Sequence, residues 1–399
     1  MSGHQTVLII VTALVVVTSD LLSTHSTQAD DSANPPHKTE VINSLQSRLP
    51  QQQETVKQSE MNRISRAEVE HEHGTDPDRI WYPKSAIDTS DAPNIVIKES
   101  DEPDAPLHTY QLNDRTWFLF GNIAETDQYN RGWNGNAGFV VTDDAVVVID
   151  SLGTPKLGKR LIATIQSITD KPIRYLIVTH NHPDHAYGAV AFKQLGGVTI
   201  LTHEGAAQYL NSGRWESSVE FRRAFIAPDM EGFEVILPDI AIAGEIFSSR
   251  SIHTGGVTFN IYNAGPHHSF GDLVVHQVED NIVWVSDLAF NGRTTFIGDG
   301  NSIQALESID WLSKTFPDAW LMVPGHGSAQ TAPFPMIEKT RSYIEELRNI
   351  MTQAVEDGMD LQDAVDQAEF EEWKETRLYE LNHRSNANFM YREMEQEIF

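Results

Sequence analysis

The chain contains no cysteine in 399 residues. Disulfides, a lipid-modified N-terminal cysteine and thiolate metal ligands are therefore excluded, and any metal must be held through nitrogen or oxygen. Positive charge is also scarce: 29 Lys and Arg stand against 57 Asp and Glu, a formal net charge of −28. Binding to RNA or DNA relies on Lys and Arg neutralising phosphates, so this balance argues against nucleic-acid partners. Long apolar runs are missing as well. The stretch at residues 6–17 is too short to span a bilayer, and it is followed by polar residues and Thr27-Gln28-Ala29, a small-residue cleavage pattern. Residues 1–29 therefore read as a signal peptide of an exported, periplasmic or secreted protein. Because residues 1–5 carry no Lys or Arg, an uncleaved N-terminal anchor is the alternative. No other membrane-spanning segment is expected.

What is present is enough apolar material, 40% of the chain, to bury a large core. Residues 30–104 are rich in Gln, Ser, Asp, Glu and Pro and poor in apolar clusters, and a largely disordered linker is expected there, with a short helix near residues 60–72. Glu70-His71-Glu72-His73 inside it reads as a solvated charge run. From about Tyr110 the pattern changes to short β-rich runs at residues 116–120, 138–142 and 145–150, a helix over 156–168 and a strand over 173–178. A helix over 185–195 and a strand over 198–202 follow, then further strands at 258–262, 273–278, 282–286 and 320–323. Beyond residue 330, Ile337, Ile344, Leu347, Met351 and Val355 recur at helical spacing, Gly358 offers a stop, and Asp360 is placed to cap a second helix. Residues 105–330 are expected to form the catalytic domain and 331–399 a helical C-terminal extension serving as scaffold.

The chemistry concentrates in Thr179-His180-Asn181-His182-Pro183-Asp184-His185, directly after the run Ile173-Arg174-Tyr175-Leu176-Ile177-Val178. Three imidazoles and a carboxylate in six positions are the donors a zinc ion accepts. Three more donor groups sit where other expected strands end: Pro266-His267-His268-Ser269-Phe270-Gly271-Asp272, Ser286-Asp287, and Pro324-Gly325-His326-Gly327. Strand ends gather at one edge of a sheet, so these groups are expected to converge. Asp150 and Asp272 are candidates for acids that orient the imidazoles, each with a capping role as the alternative. The loop over residues 129–136 and the segment 290–296 are expected to touch substrate. Trp133 is an apolar wall or a core residue, and Arg293 a carboxylate contact or a surface ion-pair member.

With these four motifs in this order, the region from residue 109 to 328 resembles the metallo-β-lactamase superfamily. The resemblance implies a four-layer αβ/βα sandwich with two mixed sheets. It also implies that His180, His182 and His268 hold one metal, that Asp184, His185 and His326 hold a second, and that Asp287 bridges them. His268 is preferred to His267 because it stands four residues before Asp272. Asp287 takes the place that thiolate-using lactamases give to cysteine, and Asn382-His383-Arg384-Ser385-Asn386 is most similar to exported quinoprotein relay zinc metallohydrolases of the SoxH type. The implied cofactors are two Zn²⁺, with iron or mixed iron and zinc as the alternative. The implied activity is attack of a hydroxide shared by both ions on the carbonyl of a small β-lactam, lactone, thioester, ester or amide, with Asp184 as ligand and as the acceptor that orients the nucleophile. Residual positive charge would favour an anionic substrate. An exported redox accessory protein or an iron-dependent dioxygenase of the same fold is the competing reading.

Overall fold

In the computed structural model, which describes residues 80–98 and 101–399, four consecutive residues show how the layers arise. Val146, Val147, Val148 and Ile149 are all buried, but Val146 and Val148 pack with Leu157, Leu161, Ile165 and Phe192. Val147 and Ile149 pack with Phe259, Ile261, Leu273 and Trp284. Side chains alternate across a strand, so an all-apolar strand must be covered on both faces. One face here meets helices and the other a second sheet.

The first sheet has seven strands in sequential order: β1 (Tyr110–Gln111), β2 (Thr116–Leu119), β3 (Ala137–Val141), β4 (Val146–Ile149), β5 (Ile173–Ile177), β6 (Thr199–His203) and β7 (Ile240–Ile242). Pairing is antiparallel from β1 to β4 and parallel from β4 to β7. The second sheet has the order β12-β11-β10-β9-β8, built from β8 (Ser249–Thr254), β9 (Val257–Gly265), β10 (Asp272–Gln277), β11 (Ile282–Ser286) and β12 (Leu321–Pro324). Only its β11–β12 pair is parallel. Helices α1 (Pro155–Ile168), α2 (Pro183–Ala186), α3 (Ala189–Leu195), α4 (Ala206–Asn211) and α5 (Arg214–Ile226) follow the first sheet's strands. Helices α6 (Ser302–Thr315), α7 (Pro335–Glu356), α8 (Leu361–Gln367) and α9 (Tyr379–Ile398) cover the second. The result is the expected α/β sandwich of two mixed sheets with a helical C-terminal region.

Local sequence explains most boundaries. Thr154 caps α1 by accepting from the Leu157 amide, with Pro155 at the first helical position. Ile337, Ile344, Leu347, Met351 and Val355 form the buried stripe of α7, and Asp360 caps α8 through the Asp363 amide.

Three expectations need correction. The helix expected over residues 185–195 is two helices, because the Gly188 amide donates to Leu152 O at 2.9 Å and leaves the helical ladder. Only glycine fits there: a Cβ on Gly188 would lie 1.9 Å from Ser151 O. The linker expected to reach residue 104 gives way much earlier to packed chain. Trp81 and Asn94 exchange backbone hydrogen bonds at 2.9 Å, Ile87 bridges to Ala329, and Ile95 and Ile97 are buried in the core of the first sheet. The short β-branched run Ile95-Val96-Ile97 was the signal, hidden within an acidic stretch. Third, the C-terminal extension does more than support the fold, as its contacts with the cleft below show. The apolar stretch at residues 6–17, the helix expected near 60–72 and the Glu70 to His73 cluster lie outside the described residues. Among the described residues no helix is long and apolar enough to cross a membrane.

Candidate metal centre

Chain direction brings the motifs together. Parallel strands β4 and β5 end at the same edge of the first sheet, and β11 and β12 end together in the second. The antiparallel pair β9–β10 turns around at that edge. Thr179, just beyond β5, ties the two sheets: its hydroxyl lies 2.7 Å from Ser286 Oγ and donates to Asp150 Oδ2 at 2.9 Å, while its amide donates to Asp150 Oδ1 at 2.7 Å.

All seven candidate side chains meet there. His180, His182 and His268 form one group able to hold a cation, Asp184, His185 and His326 a second, and Asp287 stands with His180 and His185 between them. Asp287 Oδ2 lies 3.2 Å from both His268 Nε2 and His326 Nε2, and 3.9 Å from His180 Nε2. Its Oδ1 is 3.4 Å from His185 Nε2, and Asp184 Oδ2 is 3.3 Å from His326 Nε2. Ligands around a tetrahedral ion at about 2.0–2.1 Å stand roughly 3.3 Å apart, so these spacings fit a shared cation better than direct hydrogen bonds. Gly325 lets β12 pass this close, since a Cβ there would fall 1.8 Å from Asp287 Oδ1. His267 is buried but is not in these groups, and its Nδ1 has no partner.

The outward nitrogens are each held by the protein. His185 Nδ1 is 2.9 Å from Asp150 Oδ2, His326 Nδ1 is 2.8 Å from Asn134 O, His268 Nδ1 is 2.5 Å from Phe296 O, and His180 Nδ1 is 3.2 Å from Thr179 Oγ1. Donation outward leaves the Nε2 lone pairs facing inward, the arrangement that metal-binding histidines require. His182 is oriented the other way: Asp299 Oδ2 takes its Nε2 at 3.1 Å, leaving Nδ1 as its free nitrogen, and Arg214 pairs with the same Asp299. The buried Nε2 atoms of His180, His185 and His268 and Asp287 Oδ1 have no hydrogen-bond partner. Unsatisfied buried polar atoms are costly, and the presence of these four within the two ligand groups fits metal ligation.

Electrostatics agree with this picture. Burial alone would raise the Asp287 pKa, but His326, His185 and His268 hold it well below the usual carboxylate range. Asp184 is likewise held down by His185 and His326 against the effect of burial. Burial, reinforced by His185, pushes His180 well below the ordinary imidazole value. For His185 burial acts downward, but Asp287, Asp184 and Asp150 outweigh it and raise the pKa to about 10. Without a metal that ring carries the proton that a cation would displace.

The site opens into a cleft of about 340 Å³. Asn134 lines it, as expected for the 129–136 loop, and donates to Asp184 Oδ2 at 3.4 Å. Trp133 does not line it; it is 1% exposed and belongs to the core. Arg293 lines the cleft and is buried, so the surface ion pair is replaced by a position facing the site. Asp272 reaches no imidazole; its carboxylate accepts from the His268 and Ser269 amides and braces that turn. The tail reaches the cleft through Leu381, Asn382 and Ser385 of α9. Asn382 donates to Thr294 O at 2.9 Å, and Asn386 donates to Thr295 O at 2.8 Å while accepting from the Ile297 amide at 3.0 Å. These bonds pin the strip whose Phe296 carbonyl holds His268. Sequence reasoning missed Arg222, Asp299 and this asparagine clamp. Gly298-Asp299-Gly300 carried a turn signal and the segment from Asn382 to Asn386 only a resemblance, whereas Arg222 sits within a helix and carried none.

The family model of the Metallo-beta-lactamase superfamily matches residues 130–326. Hydroxyacylglutathione hydrolase GloC of Haemophilus influenzae is 30% identical over 179 residues, covering 43% of this chain and 77% of that protein. A metallo-beta-lactamase type 2 of Elizabethkingia meningoseptica is 25% identical, covering 48% of this chain and 68% of its own. The stereoselective inverting sec-alkylsulfatase Pisa1 from Pseudomonas sp. shares the fold with a TM-score of 0.54 and 15% identity, covering 72% of this chain and 50% of that one.

Proposed function

We propose that this chain, which belongs to the metallo-β-lactamase superfamily, is a metal-dependent hydrolase of an ester, thioester, lactone or amide bond in a small substrate. What carries the reading is the set of inward imidazole and carboxylate atoms left without protein partners at the floor of a cleft. Their nitrogen and oxygen chemistry suits two Zn²⁺, with His180, His182 and His268 on one ion, Asp184, His185 and His326 on the other, and Asp287 between them. Such a pair would supply Lewis-acid polarisation of a carbonyl and a nucleophilic water at neutral pH.

The chain's own residues do the rest. Asp184 offers a partly exposed acceptor at the cleft floor, steadied by Asn134, where it can take a hydrogen bond from the attacking water and fix its direction. Asp150, the Asn134 carbonyl and the Phe296 carbonyl each hold the Nδ1 of one imidazole and so fix the orientation of three rings before a metal binds. Phe221 and Phe296 line the cleft and supply apolar wall.

Elemental analysis of the purified protein together with a panel of a chromogenic cephalosporin, a lactone and a glutathione thioester tests the proposal. Two zinc equivalents and turnover of a panel member, abolished in Asp184→Asn, are expected. Iron with oxygen consumption, or one ion and no turnover, would overturn it in favour of the redox reading.

A further inference from the structure

The asparagine clamp of α9 is one end of a longer line of hydrogen bonds. Asn386 and His383 of α9 and Tyr343 of α7 are all buried, and the rings of Phe370, Trp373 and Tyr379 pack against the last two. Asn386 Nδ2 donates to Thr295 O at 2.8 Å and to the Tyr343 hydroxyl at 2.9 Å, while its Oδ1 accepts from the Ile297 amide at 3.0 Å. Thr295 O can only accept and the Ile297 amide can only donate, so the Asn386 amide has a single orientation and both its hydrogens are used. The Tyr343 hydroxyl, accepting from Asn386, has its one hydrogen left for His383 Nδ1 at 2.9 Å. The other ring nitrogen, Nε2, faces Ala368 O, which can only accept, so Nε2 carries the hydrogen. Burial pushes the His383 pKa below the ordinary imidazole value, in keeping with a neutral ring whose Nδ1 accepts.

Only one sense of donation fits the whole line: Asn386 to Tyr343, Tyr343 to His383, His383 to Ala368. Apolar side chains would fill the same space with less to desolvate, so a fully satisfied polar line among aromatic rings specifies one arrangement more than it adds stability. Its far end holds residues 295 and 297, the two neighbours of Phe296, whose carbonyl holds His268. We propose that Tyr343 and His383 are positioning residues of the metal centre: they fix the Asn386 amide, which sets the Phe296 carbonyl against His268. The proposal rests on the metal-centre part of the function proposed above and not on which bond is broken. Tyr343, His383 and Asn386 do not line the cleft, so their effect on the metals is separable from contact with substrate.

The test is zinc affinity by chelator competition in the full chain for Tyr343→Phe, Asn386→Ala and the double variant, with the visible spectrum of each cobalt(II)-loaded protein beside it. Tyr343→Phe is expected to weaken zinc binding about three- to tenfold and to shift the cobalt bands, at or below the usual effect of an outer partner. In the Asn386→Ala background the same change should add nothing, because Tyr343 acts through that amide. His383→Leu should repeat the loss, and His383→Asn, whose Oδ1 can still accept from Tyr343, should restore most of it. Leu347→Ala lies in the same core outside the line; it should lower the unfolding midpoint and leave zinc affinity and cobalt spectrum unchanged. Unchanged affinity in a folded Tyr343→Phe, an additive loss in the double variant, or an equal loss in Leu347→Ala would overturn the proposal, since Tyr343 would then be ordinary core. If Tyr343→Phe does not fold, the His383 pair decides, and equal affinities in His383→Leu and His383→Asn would overturn it. No zinc in the unsubstituted chain would sink the metal reading and this proposal with it, whereas zinc held equally by all variants would sink this proposal alone. Failure of the substrate panel alongside the expected zinc results would sink only the hydrolase reading.

Discussion

The region matched by the family model, residues 130–326, and the helical region after it contribute to the same cleft in different ways. The first carries all seven candidate ligands, in segments that follow strand ends at one edge of the sandwich, with Asp184 and His185 on the short helix α2. The second carries no candidate ligand, yet Asn382 and Asn386 of α9 fasten the strip 294–297, and Phe296 within that strip holds His268 through its carbonyl. Chemistry therefore sits where backbone direction places it, while the orientation of one ligand depends on a helix more than a hundred residues downstream. The lesson is that a complete motif is not by itself a complete site.

Five measurements sharpen or break that contrast. Asp287→Ala removes the carboxylate between both ligand groups. It should lose at least one zinc equivalent and cut hydrolysis by more than about a hundredfold, beyond what outer partners usually cost; inductively coupled plasma analysis with kinetics reads both. Asp150→Asn keeps the ligand set but weakens the grip on His185, and zinc affinity in a chelator competition should fall about ten- to hundredfold.

The pH dependence comes next. His185 in the metal-free protein has its pKa raised to about 10, so at pH 8 the ring is protonated and must release that proton when a cation binds. Zinc affinity should rise by up to about tenfold per pH unit through this range and level off above the raised value. Calorimetry at pH 8 in buffers of different ionisation enthalpy should count about one proton released from His185 per protein molecule; none released would place His185 neutral at the outset.

Asn386→Ala acts one carbonyl removed from His268, and a roughly tenfold loss of zinc affinity is expected, at the low end for outer partners. An unchanged affinity in a folded variant would reduce the C-terminal region to scaffold. As the opposite control, Leu161→Ala in the helix core far from the ligands should cost about 2–5 kcal/mol of stability in chemical denaturation while leaving zinc stoichiometry at the unsubstituted value.

Much of the sandwich could be read in advance. The all-apolar runs 146–149 and 282–285 require cover on both faces, and the stripe from Ile337 to Val355 marks a helix with one buried side, so sheets and tail helices follow from side-chain periodicity. The segment 80–98 could not, because three β-branched residues in an acidic stretch look the same in solution as they do against Asn122, which takes the Ile95 amide at 3.0 Å. Asp150 was legible as an orienting acid because it ends a strand beside the motif. Asp272, with the same credentials, turned inward to its own loop amides instead.

From its order of residues alone the chain determined which donors are available, nitrogen and oxygen only, and that they follow strands, since both are properties of composition and of short-range periodicity. Tertiary structure alone decided that His182 turns its Nε2 to Asp299, and that Arg222, Arg293 and α9 wall the cleft. Those outcomes depend on how helix faces dock across long separations in sequence, and docking is settled by packing and burial, which leave no regular spacing for a sequence reading to detect.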